Sequence, residues 1–452
     1  MPAGAVCAVW QADLVHDAGT GDALARLDRR TAWLVVAAAL AALAGLAWWL
    51  VPWDWVPGGS LRPAAAGDVL TAAEVERAED YSSTVRVLGQ VSYAVSLAVA
   101  LVLGLTTRGA RLVHRLPGRW WVRTALATAV VLGLQRLVTL PLGLAVRDRN
   151  LAEGLTRQAL GPWLVDRLLA LLVAWVVTTL LVLLVVGPAR RSPRRWYLAA
   201  GTGAVVLTFA VSLLHPLLVE PLFNRFTPMP QGPLRTSILR LADETGVAVE
   251  DVLVADASRR TTTLNAYVSG FAGTRRIVVY DTLLAELDGD EVRSVVVHEL
   301  GHARHQDVLL GTGLGALGVL GGTALLALLL DAAPLRRRAG VASSADAGVV
   351  PLVIALAGLG ALLASPVQNV VSRAVEARAD RVSLAVTGDR PAFERLQREL
   401  SRRSLADPTP PTYSYLIFAS HPTVVQRLGI AAAVLPDQPG AGGPALEPAG
   451  DR

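Results

Sequence analysis

The sequence predicts a mainly α, polytopic membrane protein, and three observations carry that prediction. Of the 452 residues, 53% are hydrophobic and only 17% are charged, against about 25% charged in an ordinary soluble domain. The apolar excess is Ala, Leu and Val, clustered in runs of about 20 residues, the length a helix needs to cross the hydrocarbon core. Between the fifth and sixth runs lies a polar insert, 220–307, too long for a simple connection and therefore expected to be structured. This composition excludes a disordered chain, a coiled coil and an ordinary soluble enzyme.

Taken in order, residues 1–30 are mixed and polar. Spans are predicted at 32–51, 87–106, 124–145, 164–187, 196–219, 308–330 and 348–368. Gln135, Arg136, Asp166 and Arg167 interrupt or flank the third and fourth spans, and His215 lies near the end of the fifth. Polar groups at that depth face a bundle interior or a water-filled cavity, so interhelical hydrogen bonds and a polar cavity both account for them.

The insert opens on a turn-rich stretch, Pro221 to Met229. Residues 233–245 have helical periodicity, with Leu234, Ile238 and Leu241 on one face. Residues 252–254 and 276–280 read as short strands. Residues 289–306 read as a helix started by Asp288 or Asp290. After the seventh span, 369–386 reads as a further helix with a charged side. From Pro436 the chain is rich in Pro, Gly and Ala and is predicted to be disordered. The expected division is 1–219 with spans one to five, 220–307 as catalytic insert, 308–368 with spans six and seven, 369–435 as C-terminal segment, and 436–452 as tail.

The formal net charge is +5, and every basic residue is Arg. Most of these arginines sit in short loops between spans, so the partner they imply is the lipid bilayer and not nucleic acid. The arginine bias points to a bacterial plasma membrane. The single cysteine, Cys7, permits no disulfide or thiolate cluster within one chain. No apolar stretch precedes it, so neither a lipoprotein anchor nor a cleavable signal is expected.

The run that carries chemistry is His298-Glu299-Leu300-Gly301-His302. Helical residues four apart share a face, so His298 and His302 can offer two imidazole nitrogens to one Zn²⁺, with Glu299 beside them to take a proton from water activated by the metal. Val295-Val296-Val297 make the helix largely buried, and two histidines with a glutamate on a buried helix need a reason. Such a site requires a third protein ligand. A histidine six residues past His302 would fall at Val308, which cannot ligate. The best candidate is Glu376, on the helix predicted after span seven. Asp380, one turn on, could accept the outer N–H of a ligand histidine, and Arg373, one turn back, could hold a carboxylate or a substrate carbonyl. His305 is the rival ligand, otherwise a surface or supporting residue.

These residues resemble those of the type I CAAX prenyl proteases, seven-span zinc endopeptidases of the gluzincin type. The resemblance rests on Pro221 to Pro228, on Asn265-Ala266-Tyr267 with Ile277 to Leu284, and on the motif from His298 to His302. It continues in Asn369-x-x-Ser372-Arg373-x-x-Glu376-x-x-Ala379-Asp380 and in Ser420-His421-Pro422 with Arg427-Leu428. It covers about 190–430 well, and the earlier spans match in number and hydropathy. It implies a seven-helix transmembrane barrel around a polar chamber, with a zincin-like catalytic domain carrying a small β-sheet and one Zn²⁺ per chain. His298, His302 and Glu376 would be the ligands and Glu299 the general base. His421 would stabilise the oxyanion, and Asp380, Arg373 and Asn369 would support the ligands. Asn265, Ala266 and Tyr267 would lie by an edge strand that pairs with the substrate backbone.

The implied activity is peptide-bond hydrolysis by zinc-activated water, on a peptide or membrane-protein substrate, lipidated or not. A heat-shock-type quality-control protease of the same superfamily is the second enzyme reading, and a non-catalytic membrane scaffold or conduit is the alternative of another class. This chain has Thr263-Leu264 where the family often has His-Ser. The arginines cluster after spans two, four and six and at the N-terminal side, which turns the insert away from the cytoplasm. The eukaryotic relatives place theirs in the cytosol.

Overall fold

The computed structural model describes residues 26–270 and 272–436. Cys7, most of the polar N-terminal segment, and the tail beyond Pro436 lie outside the described residues.

Among the described residues, seven helices are long and apolar enough to cross a membrane. They are α1 (Arg29–Leu50), α2 (Ala72–Gly104), α4 (Trp120–Ala152), α5 (Leu160–Arg191), α6 (Trp196–Leu218), α9 (Asp307–Asp331) and α10 (Val350–Thr387); a short helix, α3 (Thr107–His114), lies between α2 and α4. Large apolar side chains such as Leu137, Leu168 and Leu363 stay exposed on them, as lipid-facing groups do. Several helices outrun their predicted spans, because hydropathy registers only the apolar part. The first turns of α2 are polar and start at a capping box, in which Thr71 and Glu74 satisfy each other's backbone N–H groups. The separate helix expected after span seven is instead the second half of α10, which continues through Pro366. Local composition changes there from apolar to charged, but the backbone does not break, so a span and a ligand-bearing segment form one rigid rod.

Neighbour packing runs α1–α9–α6–α5–α4–α2–α10, and α10 touches α9 to close the ring. Gly104 ends α2 against the start of α10, where a Cβ would sit 2.7 Å from the Pro351 carbonyl oxygen. Gln135 donates to the Ser96 carbonyl at 2.9 Å, an interhelical hydrogen bond. His215 instead lines a cavity. Both readings of the polar residues in the spans therefore hold, each for different residues.

The insert contains β1 (Phe226–Pro228), α7 (Pro233–Glu244), β2 (Asp251–Ala255), β3 (Ala266–Ser269), β4 (Arg276–Tyr280) and α8 (Gly289–Arg304). The sheet order is β1-β2-β4-β3, with β2 and β4 parallel and both outer pairs antiparallel. The inner strands are those read from their short apolar runs bounded by polar residues; β1 and β3 are too short to show a pattern of their own. One sheet face packs on α7 and α8 through Ile238, Val252, Ile277, Val279, Val296 and Leu300. Asp288, not Asp290, caps α8, and its backbone N–H donates to Glu291 at 3.1 Å. After α9 and α10 come α11 (Arg390–Ser404), α12 (Thr412–Phe418) and α13 (Val424–Val434).

Candidate metal centre and active site

One turn of α8 brings the His298 and His302 rings to 4.8 Å between centroids, nearly perpendicular, with their Nε2 atoms 3.2 Å apart. Glu376, from α10, places Oε2 3.3 Å from His298 Nε2 and Oε1 3.5 Å from His302 Nε2. These spacings test whether a metal fits. A tetrahedral Zn²⁺ with bonds of about 2.0–2.1 Å needs donor atoms about 3.3 Å from one another. The donor set, two imidazoles and one carboxylate, is one that catalytic zinc takes.

The two helices approach closely at Gly301, where a Cβ would meet Val382 at 3.3 Å. Ser383 donates to the Ser294 carbonyl at 2.8 Å beside that contact.

Each histidine has an outer carboxylate. Asp380 Oδ1 lies 2.9 Å from His298 Nδ1, and Asp307 Oδ2 lies 2.9 Å from His302 Nδ1. Such partners set the tautomer and orientation of a metal-binding imidazole. Arg427 bridges Asp380 at 2.8 Å and Glu376 at 2.9 Å, and Arg378 pairs with Asp307. Burial opposes a proton on His298, but the carboxylates of Asp380 and Glu376 beside it outweigh burial and raise its pKa to about 10. The carboxylates thus favour positive charge at this point, which a divalent cation supplies.

Glu299 points into the same space. It has no hydrogen-bond or ion-pair partner among the described residues, and burial pushes its carboxyl up, against the pull of the two histidines. The cavity it faces has a volume of about 1080 Å³, and His215, Asn265, Val308 and His421 line it too. His421 Nε2 stands 3.4 Å from Glu376 Oε1, and its Nδ1 is 2.9 Å from the Ser420 hydroxyl. Arg373 and Asn369 touch no ligand side chain. Arg373 donates to the carbonyls of Tyr415 and Ala419 at 3.1 and 2.6 Å, and Asn369 donates to that of Leu416 at 3.1 Å. They hold the segment that leads to His421. His305 is the exposed C-cap of α8, outside the ligand group.

β3 is an edge strand. The Tyr280 N–H donates to the Asn265 carbonyl at 3.0 Å, and alternation along the ladder turns the backbone groups of Ala266 and Val268 to the open edge. Tyr267 and Ser269 occupy the sheet face away from α8 and donate to Glu220, at 3.3 and 3.2 Å respectively.

Asp307, Arg378 and Glu220 escaped the sequence reading, and Arg427 entered it only as part of a motif. Asp307 was hidden because 289–306 reads as one helix, on which the fifth residue past His302 faces elsewhere. Gln306 breaks that helix in a left-handed conformation, φ 54°, and turns Asp307 back. A lone acidic residue, Asp307, at the start of an apolar span was the signal available. Asp307→Asn is expected to weaken metal affinity about 10- to 100-fold, measured by chelator competition, with the fold retained.

Comparison with known proteins agrees with this geometry. Residues 228–433 match the model of Peptidase family M48, and residues 59–225 match that of the CAAX prenyl protease N-terminal region with five membrane helices. An uncharacterized metalloprotease, YhfN, of Bacillus subtilis is 26% identical over 82% of this chain and 88% of its own length. A CAAX prenyl protease 1 homolog of Arabidopsis thaliana is 33% identical over 49% of this chain and 53% of its own. The crystal structure of S. mikatae Ste24p superposes with a TM-score of 0.73 at 20% identity, covering 88% of this chain and 98% of that one, which shows a common fold.

Proposed function

This chain belongs to the type I CAAX prenyl protease family and is a membrane metalloendopeptidase, and on that premise we propose that its metal is one zinc ion held by His298, His302 and Glu376. The observation that carries the proposal is the convergence of three donors at tetrahedral spacing beside an unpartnered Glu299 that faces a partly open cavity. Zinc bound there would polarise the scissile carbonyl and lower the pKa of a water toward 7.

The chain's own groups would do the rest. Glu299 takes the proton of the attacking water and returns it to the leaving amine, and its raised pKa brings it nearer the neutral range in which such a shuttle works best. His421 donates a hydrogen bond to the oxygen on which charge develops. The open edge of β3 pairs with the substrate backbone at Ala266 and Val268, while Asn265 and Tyr267 flank it. Asp380 and Asp307 hold the two histidines, and Arg373 and Asn369 brace the segment bearing His421.

The substrate class we propose is an extended peptide segment next to the membrane, carrying a lipid at its C-terminal side. The five-helix N-terminal region favours this class over general quality control. Purified protein should cleave a quenched prenylated CAAX peptide in preference to its unprenylated twin; equal rates would favour quality control. His421→Ala is expected to lower kcat about 10²- to 10³-fold with bound zinc unchanged, and loss of zinc in that variant would reassign His421 to the metal.

A further inference from the structure

The seven spanning helices carry the chain from face to face, so every segment outside them belongs to one of two sides. Residues 26–28, 105–119, 192–195 and 332–346 share one side. Residues 51–71 and 153–159, the insert and the C-terminal segment share the other.

The first side is dense in arginine. From Arg108 to Arg123 an arginine recurs every three or four residues, and the stretches 190–195 and 336–338 add further clusters. Its acidic residues among those described are Asp28, Asp331 and Asp346, and each pairs within that side. Asp28 meets Arg195 at 2.8 Å, Asp331 meets Arg336 at 3.6 Å, and Asp346 meets His114 at 2.9 Å. They tie the connections together and leave a surplus of exposed arginines. The short connections of the second side hold Arg62 and Arg157 against Asp54, Asp68 and Glu153, and the polar start of α2 adds more acids than arginines.

Helix α3 lies across the end of the bundle on the arginine side. Gly109, Ala110 and Val113 are buried under it, while Arg108 and Arg111 are exposed. Gly109 makes this seat possible, because a Cβ there would come within 2.2 Å of the Leu103 carbonyl. A polar face of arginines over a small-residue face suits a helix lying at a headgroup layer. Exposed tryptophans mark the two interfaces, with Trp33 and Trp121 near the arginine side and Trp48 and Trp49 at the other. Anionic headgroups are enriched on the cytoplasmic leaflet, and short-loop arginine sets orientation.

We propose that the arginine side rests on the anionic headgroups of the cytoplasmic leaflet, and that the metal centre and its cavity open on the opposite, non-cytoplasmic side. The five full-length helices ahead of the insert put it on the side of 51–71 and 153–159, and the arginine distribution then reverses the cytosolic orientation that the family resemblance implies. The enzyme would then receive substrate segments already moved across the membrane.

Two single-cysteine proteins test this in full-length form on a Cys7→Ser background. Ser60→Cys probes the connection 51–71, and Ser343→Cys probes 332–349; both positions are exposed. A membrane-impermeant maleimide applied to sealed right-side-out vesicles should label Ser60→Cys at once and Ser343→Cys only after permeabilisation. The reverse pattern, or labelling of both in sealed vesicles, would overturn the orientation. Native mass spectrometry with phosphatidylglycerol and phosphatidylcholine should show preferential retention of phosphatidylglycerol, lost in Arg108→Gln/Arg111→Gln/Arg115→Gln. Equal retention of the two lipids would overturn the headgroup contact. Neither readout depends on the proposed peptidase chemistry.

Discussion

Glu299→Gln is expected to lower kcat by about 10²- to 10⁴-fold, the range contributed by a positioned proton shuttle, with metal content and melting temperature close to wild type. The substitution keeps the side chain's size and removes only its ability to accept and return a proton. Glu299 makes no hydrogen bond or ion pair among the described residues, so the change leaves no buried partner stranded. KM should move little, because the carboxylate works on water and on the leaving group. Steady-state kinetics on a quenched peptide, with zinc measured in the same samples, checks this. A variant that retained near wild-type kcat would require another base.

Glu376→Ala is expected to abolish measurable activity by a different route, through loss of the metal. The carboxylate supplies one of three donors, and no other described residue completes the group with His298 and His302. It also receives Arg427 at 2.9 Å, with both side chains largely buried. Removing one partner of a buried pair costs about 3–5 kcal/mol, here lessened because Arg427 keeps its bond to Asp380. Zinc content should fall well below one per chain, and the melting temperature should drop. Glu376→Gln separates the two effects: it preserves volume and part of the hydrogen bonding to Arg427, so it should recover stability more than metal affinity.

Much of this centre is legible in the sequence because its logic is local. His298, Glu299 and His302 occupy one turn of helix, and Asp380 lies one turn from Glu376. A two-histidine site creates the demand for a third ligand, and a charged turn at the end of an apolar span answers it. Legibility fails where the geometry depends on breaks or on distant contacts. Asp307 reaches His302 only because Gln306 adopts a left-handed conformation, and nothing in the local residue pattern announces that turn. Arg427 reaches both Glu376 and Asp380 from a different helix, more than forty positions along the chain, a contact that periodicity cannot reveal. Strands β1 and β3 are three and four residues long, shorter than any alternation that could identify them. The polar half of α10 reads as a separate helix, and the extra length of α2 was missed for the opposite reason. The polar first turns of α2 form good helix, but an apolar window cannot see them.

Asn369 and Arg373 show how an expected role can shift once distances are known. Both lie on the ligand-bearing half of α10, yet their bonds run to the carbonyls of Tyr415, Leu416 and Ala419. The guanidinium of Arg373 also lies 4.2 Å from the Tyr415 ring centroid. One helix therefore presents a metal ligand on one face and grips the segment leading to His421 with another. The two halves of the proposed catalytic apparatus are fixed relative to each other by a single rod that is also a membrane span.

The most direct test of the central claim is X-ray diffraction from the purified, full-length protein on both sides of the zinc absorption edge. The account predicts one anomalous peak per chain, within about 2.0–2.2 Å of His298 Nε2, His302 Nε2 and a Glu376 oxygen. A catalytically active protein with no peak there, or with its only peak elsewhere, would contradict it.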